Sequence, residues 1–216
     1  MPIIKIQEET AAKVASMLLG IEAIKLNVSK PFIWSSGWKS PIYCDNRLSL
    51  SYPEIRDSIK EGLVNVIREN FFSAEAIAGV ATAGIPQGVL VAQELNLPFV
   101  YVRPKPKDHG MENLIEGRVV KNQKVVVVED LVSTGGSSLK AVQVLRDAGF
   151  QVIGMISVFN YGFDIARKNF YEANVSLISL SDYSHLLRVA VDQKYVNEDQ
   201  LVSLKAWSID PVNWSN

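Results

Sequence analysis

One cysteine, Cys44, stands among 216 residues. No intrachain disulfide can form, and a reducing compartment, the cytoplasm, is the expected location. Cys44 itself reads as a small buried hydrophobe, with a nucleophile as the alternative. Neither sign of charge is in excess: 22 Lys and Arg against 23 Asp and Glu leave a net charge of −1. That balance lacks the basic stripe of a nucleic-acid binder, so no nucleic-acid partner is expected. Apolar runs are short, and none approaches the roughly 18 residues of a membrane span. The opening stretch Met1-Pro2-Ile3-Ile4-Lys5 has no signal-peptide pattern. There is no internal repeat and no low-complexity segment. At 216 residues the chain fits one domain spanning 1–216, with room for a small appendage, and is long enough for a sizeable core.

What the chain does have is concentrated in 125–137. Val125 to Val128 are four β-branched residues in a row, the pattern of a central parallel strand buried on both faces. Glu129 and Asp130 stand where that strand should end. A loop of small and hydroxylated residues follows, from Ser133 to Ser138, and Leu139, Val142 and Leu145 then return at helical spacing. Strand, small-residue loop and helix together make an anion site, because loop N–H groups and the positive helix end point at one place. The two acids would repel a phosphate but can accept hydrogen bonds from sugar hydroxyls. The combination suits a phosphorylated sugar. Neither the G-x-x-x-x-G-K nor the G-x-G-x-x-G pattern is present in this stretch. An ordinary strand–turn–helix connection with capping acids is the alternative.

Elsewhere strands and helices alternate. Helices are expected over 7–20, 53–71 and 87–95, around 164–173, from Asp182, and up to Trp207 behind an Asn197/Gln200 capping box. Another should follow the cup and stop at Gly149. Strands are expected at Ile24–Leu26, from Ile77, at Phe99–Val102, Arg118–Val120, Val152–Val158 and Val175–Leu180. This order predicts an α/β fold, an open parallel twisted sheet flanked by helices. Thr82-Ala83-Gly84 offers a second turn of backbone N–H groups at a helix start. Phe32 to Arg47 reads as an aromatic hairpin, making a small N-terminal hood over about 24–47. Arg103-Pro-Lys-Pro-Lys-Asp-His-Gly-Met-Glu-Asn113 is charged, without apolar period, and long for a structureless loop. Solvated surface is the plain reading of such a loop. His185 is expected to be exposed.

The 125–137 stretch resembles the phosphoribosyl pyrophosphate (PRPP) signature of type I phosphoribosyltransferases. The hairpin resembles the hood of orotate phosphoribosyltransferases through Phe32, Ser36, Gly37, Ser40, Pro41, Tyr43 and Asp45. Arg103, Lys105 and Lys107-Asp108-His109-Gly110 resemble that family's catalytic loop, and Thr82-Ala83-Gly84 its pyrophosphate loop. The resemblance implies transfer of phosphoribosyl from PRPP to orotate, giving orotidine 5′-monophosphate and pyrophosphate. It makes Lys107 the principal catalytic cation, with Arg103 and His109 on the pyrophosphate. Glu129 and Asp130 would hold the ribose 2′ and 3′ hydroxyls. The PRPP segment would run on through Leu131 and Val132, with the 5′-phosphate on Ser133, Thr134, Gly135, Gly136 and Ser137. Orotate would meet Ser133, Phe32 and Tyr161. Mg²⁺ would be carried by PRPP and reach Asp130 through water. A homodimer is implied, with the loop closing over the neighbouring subunit's site. The chain departs from relatives at Ser35, Ala83 and Pro104, where some carry Lys, and at Tyr161, where an Arg often stands. A purine-type phosphoribosyltransferase, a PRPP-sensing regulator and an inactive structural relative are the competing readings.

Overall fold

The computed structural model describes residues 7–34, 37–105 and 114–214. Six strands form the main sheet, in the order β10-β9-β8-β5-β6-β7. These are β5 (Ala76–Val80), β6 (Phe99–Val102), β7 (Ile115–Glu116), β8 (Lys124–Val132), β9 (Gln151–Asn160) and β10 (Leu177–Asp182). All neighbours pair in parallel except β6 and β7. The valine run explains why β8 is central. Val126 and Val128 face one core, Val125 and Val127 the other, and all four are fully buried. A strand apolar on both faces is stable only with helices on both sides.

The helices divide accordingly. One face carries α1 (Glu8–Gly20), α2 (Pro53–Asn70), α3 (Gly84–Leu95), α6 (Tyr183–Asp192) and α7 (Glu198–Ile209). The other carries α4 (Gly136–Asp147) and α5 (Asp164–Glu172). Local chemistry sets several ends. Pro53 occupies the first turn of α2, where its missing N–H costs nothing. Asn197 and Gln200 form the expected reciprocal capping box of α7. Gly149, at φ +97, follows the last turn of α4, where a left-handed residue closes the helix.

The hood consists of β1 (Ile24–Leu26) paired antiparallel with β4 (Ile42–Cys44), and β2 (Phe32–Ile33) paired with β3 (Lys39–Ser40). A 3₁₀ helix, Asn46–Ser51, leads from it into α2. Aromatic rings weld the hood to the core. Trp34 lies 5.0 Å from Tyr161 and 5.6 Å from Trp207, ring centre to ring centre. The fully buried Trp207 donates its indole N–H to the Lys39 carbonyl. No helix among the described residues is long and apolar enough to cross a membrane.

Some expectations needed correction. Arg118–Val120 is not a strand. Val119 and Val120 are exposed, and β6 is paired instead by Ile115–Glu116. The strand at Val125 runs four residues past Val128, carrying both acids with it. The helix placed at 87–95 starts three residues earlier, at Gly84. His185 is not exposed: its ring lies between Asp182 (2.8 Å) and Glu8 (3.0 Å), fastening α6 to α1.

Candidate active site

Open parallel sheets bind ligands beyond the carboxyl ends of their strands. Here the ends of β5 and β8 meet the N-termini of α3 and α4. No side chain caps either helix. The first-turn N–H groups of α4 are therefore open to an anion, whereas α3 offers fewer, because Pro86 has no N–H and the Ile85 N–H already donates to the Thr82 carbonyl at 3.3 Å.

The cup after β8 is short: Ser133 and Thr134, then Gly135, which already caps α4. Gly135 sits at φ +81, and a Cβ there would lie 2.7 Å from the Phe170 ring. Both facts demand glycine. Ser133 and Thr134 are half-buried, while Gly136 and Ser137 are exposed in the first turn of α4. Asn169, from α5, donates to the Thr134 carbonyl at 2.9 Å and steadies the cup from one side.

The acid pair is asymmetric. Glu129 is 6% exposed. Its carboxylate accepts from the Ser138 hydroxyl at 3.0 Å and from the Asp130 N–H at 3.1 Å. Burial, then the neighbouring Asp130 charge, pushes its carboxyl well above the usual range. Asp130 is half-buried, and burial raises it as well, while its hydrogen bond with the Glu129 carboxyl pulls it back. Its carbonyl accepts from Asn46 at 2.8 Å. Of the two acids, Asp130 is the more open to a ligand. Leu131 and Val132 belong to the strand, with Val132 buried and Leu131 packed against the opposite core. What Val132 offers locally is a carbonyl, taken by the Tyr161 N–H at 3.1 Å.

Ala81, Thr82 and Ala83 form the turn between β5 and α3, Gly84 opens α3, and the Ala81–Thr82 peptide is cis. Gly84 is buried against β8, where a Cβ would fall 2.5 Å from the Val128 carbonyl oxygen. This contact brings the second turn beside the first. Arg103 follows β6; its N–H donates to the Leu114 carbonyl at 2.8 Å, and its guanidinium lies 3.6 Å from Glu116. The two ends of the charged loop are thereby fastened together. Lys107 and His109 lie outside the described residues, as does Ser35.

The ligand-facing residues expected for a base fare differently. Phe32 is half-buried in the hood, 5.6 Å from the Tyr43 ring. Tyr161 is only 4% exposed and packs among Trp34, Phe159, Phe163, Tyr183 and Trp207. Its ring is thus a core element rather than an open contact surface. Cys44 is half-buried, donates to the Asn46 side-chain oxygen at 3.2 Å, and burial pushes its thiol up. That matches the packing reading of Cys44. The sequence reading missed Asn46, Asn169 and Ser138. The first two act on main-chain carbonyls and have no motif. Ser138 was visible as part of the loop, but its bond to Glu129 was not.

Comparisons with known proteins agree with this geometry. Residues 50–194 match the phosphoribosyl transferase domain family. The chain is 58% identical over 202 residues to the orotate phosphoribosyltransferase of Cytophaga hutchinsonii, covering 94% of this chain and 97% of that one. The enzyme of that name from Streptococcus agalactiae is 49% identical, over 96% of this chain and all of its own (100%). Among solved structures, orotate phosphoribosyltransferase from Aeropyrum pernix superposes with a TM-score of 0.73 at 29% identity, covering 85% of this chain and 99% of that one. UMP synthase from Leishmania donovani gives 0.78 at 25% identity, covering 93% of this chain and 42% of that one. With its parallel sheet, its cup after β8 and its aromatic hood, the chain belongs to the orotate phosphoribosyltransferase family.

Proposed function

We propose that the chain transfers the phosphoribosyl group of PRPP to orotate, releasing pyrophosphate and forming orotidine 5′-monophosphate. The single observation that carries the reading is the pairing of Asp130 with an uncapped cup at the end of β8, under a family-type hood. The 5′-phosphate is assigned to the N–H groups and hydroxyls of Ser133 to Ser137. Asp130 accepts from the ribose hydroxyls. Glu129, turned toward Ser138, orients this end of the strand as well as meeting the sugar. The Thr82–Gly84 turn receives the pyrophosphate, mainly through backbone donors because Ala83 brings no charge. Orotate lies under the hood near Phe32 and Ser133, with Tyr161 supporting the hood from the core.

Breaking the bond between ribose C1 and the pyrophosphate oxygen leaves positive character on the sugar, as in glycoside cleavage. Pyrophosphate gathers negative charge at the same time. The residues do two things: they hold the reactants in line, and they neutralise the departing charge. Lys107, Arg103 and His109 supply that charge when the loop closes. Arg103 exchanges its Glu116 contact for the ligand on closure. A homodimer, in which the loop serves the neighbouring subunit, is part of the same proposal, as is a cytoplasmic location. Among the described residues no group of three or more His, Cys, Asp or Glu could hold a metal ion. The proposal carries the metal on substrate oxygens, with Asp130, the more open of the two acids, reaching it through water. Mg²⁺ bound in that way would neutralise pyrophosphate charge.

Two measurements test the assignments. Offered PRPP with orotate, adenine and hypoxanthine together, the protein is expected to convert orotate alone; conversion of a purine would move the specificity. Asp130→Asn should weaken PRPP binding by about tenfold, the worth of one charge-assisted hydrogen bond. Calorimetry giving an unchanged PRPP affinity would remove Asp130 from the ribose.

A further inference from the structure

The hood and the acid-bearing end of β8 meet at one buried side chain. Asn46 is 1% exposed and opens the 3₁₀ helix between the hood and α2. It lies 84 residues from Asp130 in the chain, yet its amide donates to the Asp130 carbonyl at 2.8 Å. Its own side-chain oxygen accepts from the Cys44 thiol at 3.2 Å, and its carbonyl accepts from the Ser49 hydroxyl at 2.6 Å. On either side of it, Asp45 and Arg47 are locked together, with Nε and Nη2 of Arg47 at 2.6 and 2.9 Å from the two carboxylate oxygens. The amide therefore reaches β8 from a rigid knot.

Its target is a stretch with weakened support. On one side β8 is paired with β5 only as far as Gly79 opposite Val128. On the other, pairing with β9 runs on to Val132 opposite Asn160. Residues 129–132, which carry both acids, thus keep one strand neighbour. The Asn46 hydrogen bond falls on this half-supported segment. A buried amide is costly unless bonded, and an apolar residue of the same size would fill the space without that cost. The donor is what distinguishes asparagine here.

We propose that Asn46 is a positioning residue for the transfer reaction. It fixes the Asp130 carbonyl, and with it the direction in which the Asp130 carboxylate meets the sugar. It also makes that alignment depend on the segment that joins the hood to α2. The inference rests on the assignment of Asp130 to the ribose.

The test uses Asn46→Leu, which keeps the volume but loses the donor, and Asn46→Ala, which loses both. Two readouts are taken on the full chain: steady-state constants for PRPP and orotate, and amide hydrogen exchange over 129–134 without substrate. The expected result is a rise in KM for PRPP of about tenfold in both variants, the loss of one hydrogen bond. The kcat at saturating PRPP should stay within about threefold and the KM for orotate nearly unchanged, with faster exchange over 129–134. An Asn46→Leu protein with parental KM for PRPP and parental exchange would show that the side chain merely fills space, and would overturn the proposal. Equal losses for both substrates with unchanged local exchange would overturn it too. If Asn46→Leu does not fold, Asn46→Ala decides by the same criteria. If the parent itself does not convert orotate, the functional reading fails, while the exchange measurement still decides whether Asn46 steadies this segment.

Discussion

Lys107→Ala is expected to lower kcat by about 10²–10³-fold while changing the KM for PRPP little, the loss seen when one preorganised charge-stabilising group is removed. The described site explains why a cation is needed there. The ends of β5 and β8 bring together an acid pair and the N-termini of α3 and α4, which in the proposed function hold the sugar and its phosphate groups in the ground state. The charge that accumulates on pyrophosphate as the bond breaks requires something further. Residues 103–107 bring three cations in five positions, Arg103, Lys105 and Lys107. Their loop springs from a fixed base, because Arg103 bonds to Leu114 and Val102 pairs with Ile115. A cation engaged only on closure acts on the transition state more than on bound substrate, which is why kcat should carry the loss. Near-normal kcat in the variant would end the assignment.

Gly84→Ala should destabilise the fold by about 3 kcal/mol, the upper range for overpacking, and lower Tm by roughly 6–12 °C. The added Cβ would sit 2.5 Å from the Val128 carbonyl oxygen and 3.3 Å from the Glu129 Cα. Both are backbone atoms of the central strand, so no side chain can swing aside. Relief requires α3 to move off β8, which would also pull the Thr82–Gly84 turn away from the cup. PRPP affinity should fall together with stability. Gly20→Ala is the control, since nothing lies within 4 Å of a Cβ there. A thermal scan in which Gly84→Ala and Gly20→Ala unfold within about 2 °C of each other would contradict the packing argument.

The legible parts of this molecule are those where one short stretch contains its own reason. Val125–Val128 needs both faces buried, and it is the central strand with a core on each side. Gly135 needs a left-handed turn and a close neighbour, and Phe170 is that neighbour. Asn197 and Gln200 close a cap between themselves. What was less legible depends on partners far along the chain. The acids looked like a strand end, but pairing with β9 carries β8 on to Val132. The β-branched pair Val119-Val120 looked like a strand and found no neighbour, because Ile115–Glu116 had taken the β6 edge. His185 looked exposed because its contact with Glu8 spans 177 residues. Tyr161 was expected to meet orotate, and its packing against Trp207, from the last helix, had no local signal. Asn46 carries no signal of its own, since its work is done on the main chain of another element.

Orotate absorbance, followed in a mixture of purified protein, PRPP and Mg²⁺ with pyrophosphate release measured in parallel, tests the central claim most directly. The account predicts that orotate disappears and pyrophosphate appears in equal amounts, and that both stop when PRPP is left out. Tight PRPP binding with no loss of orotate would contradict it, leaving a protein that holds the sugar phosphate without transferring it.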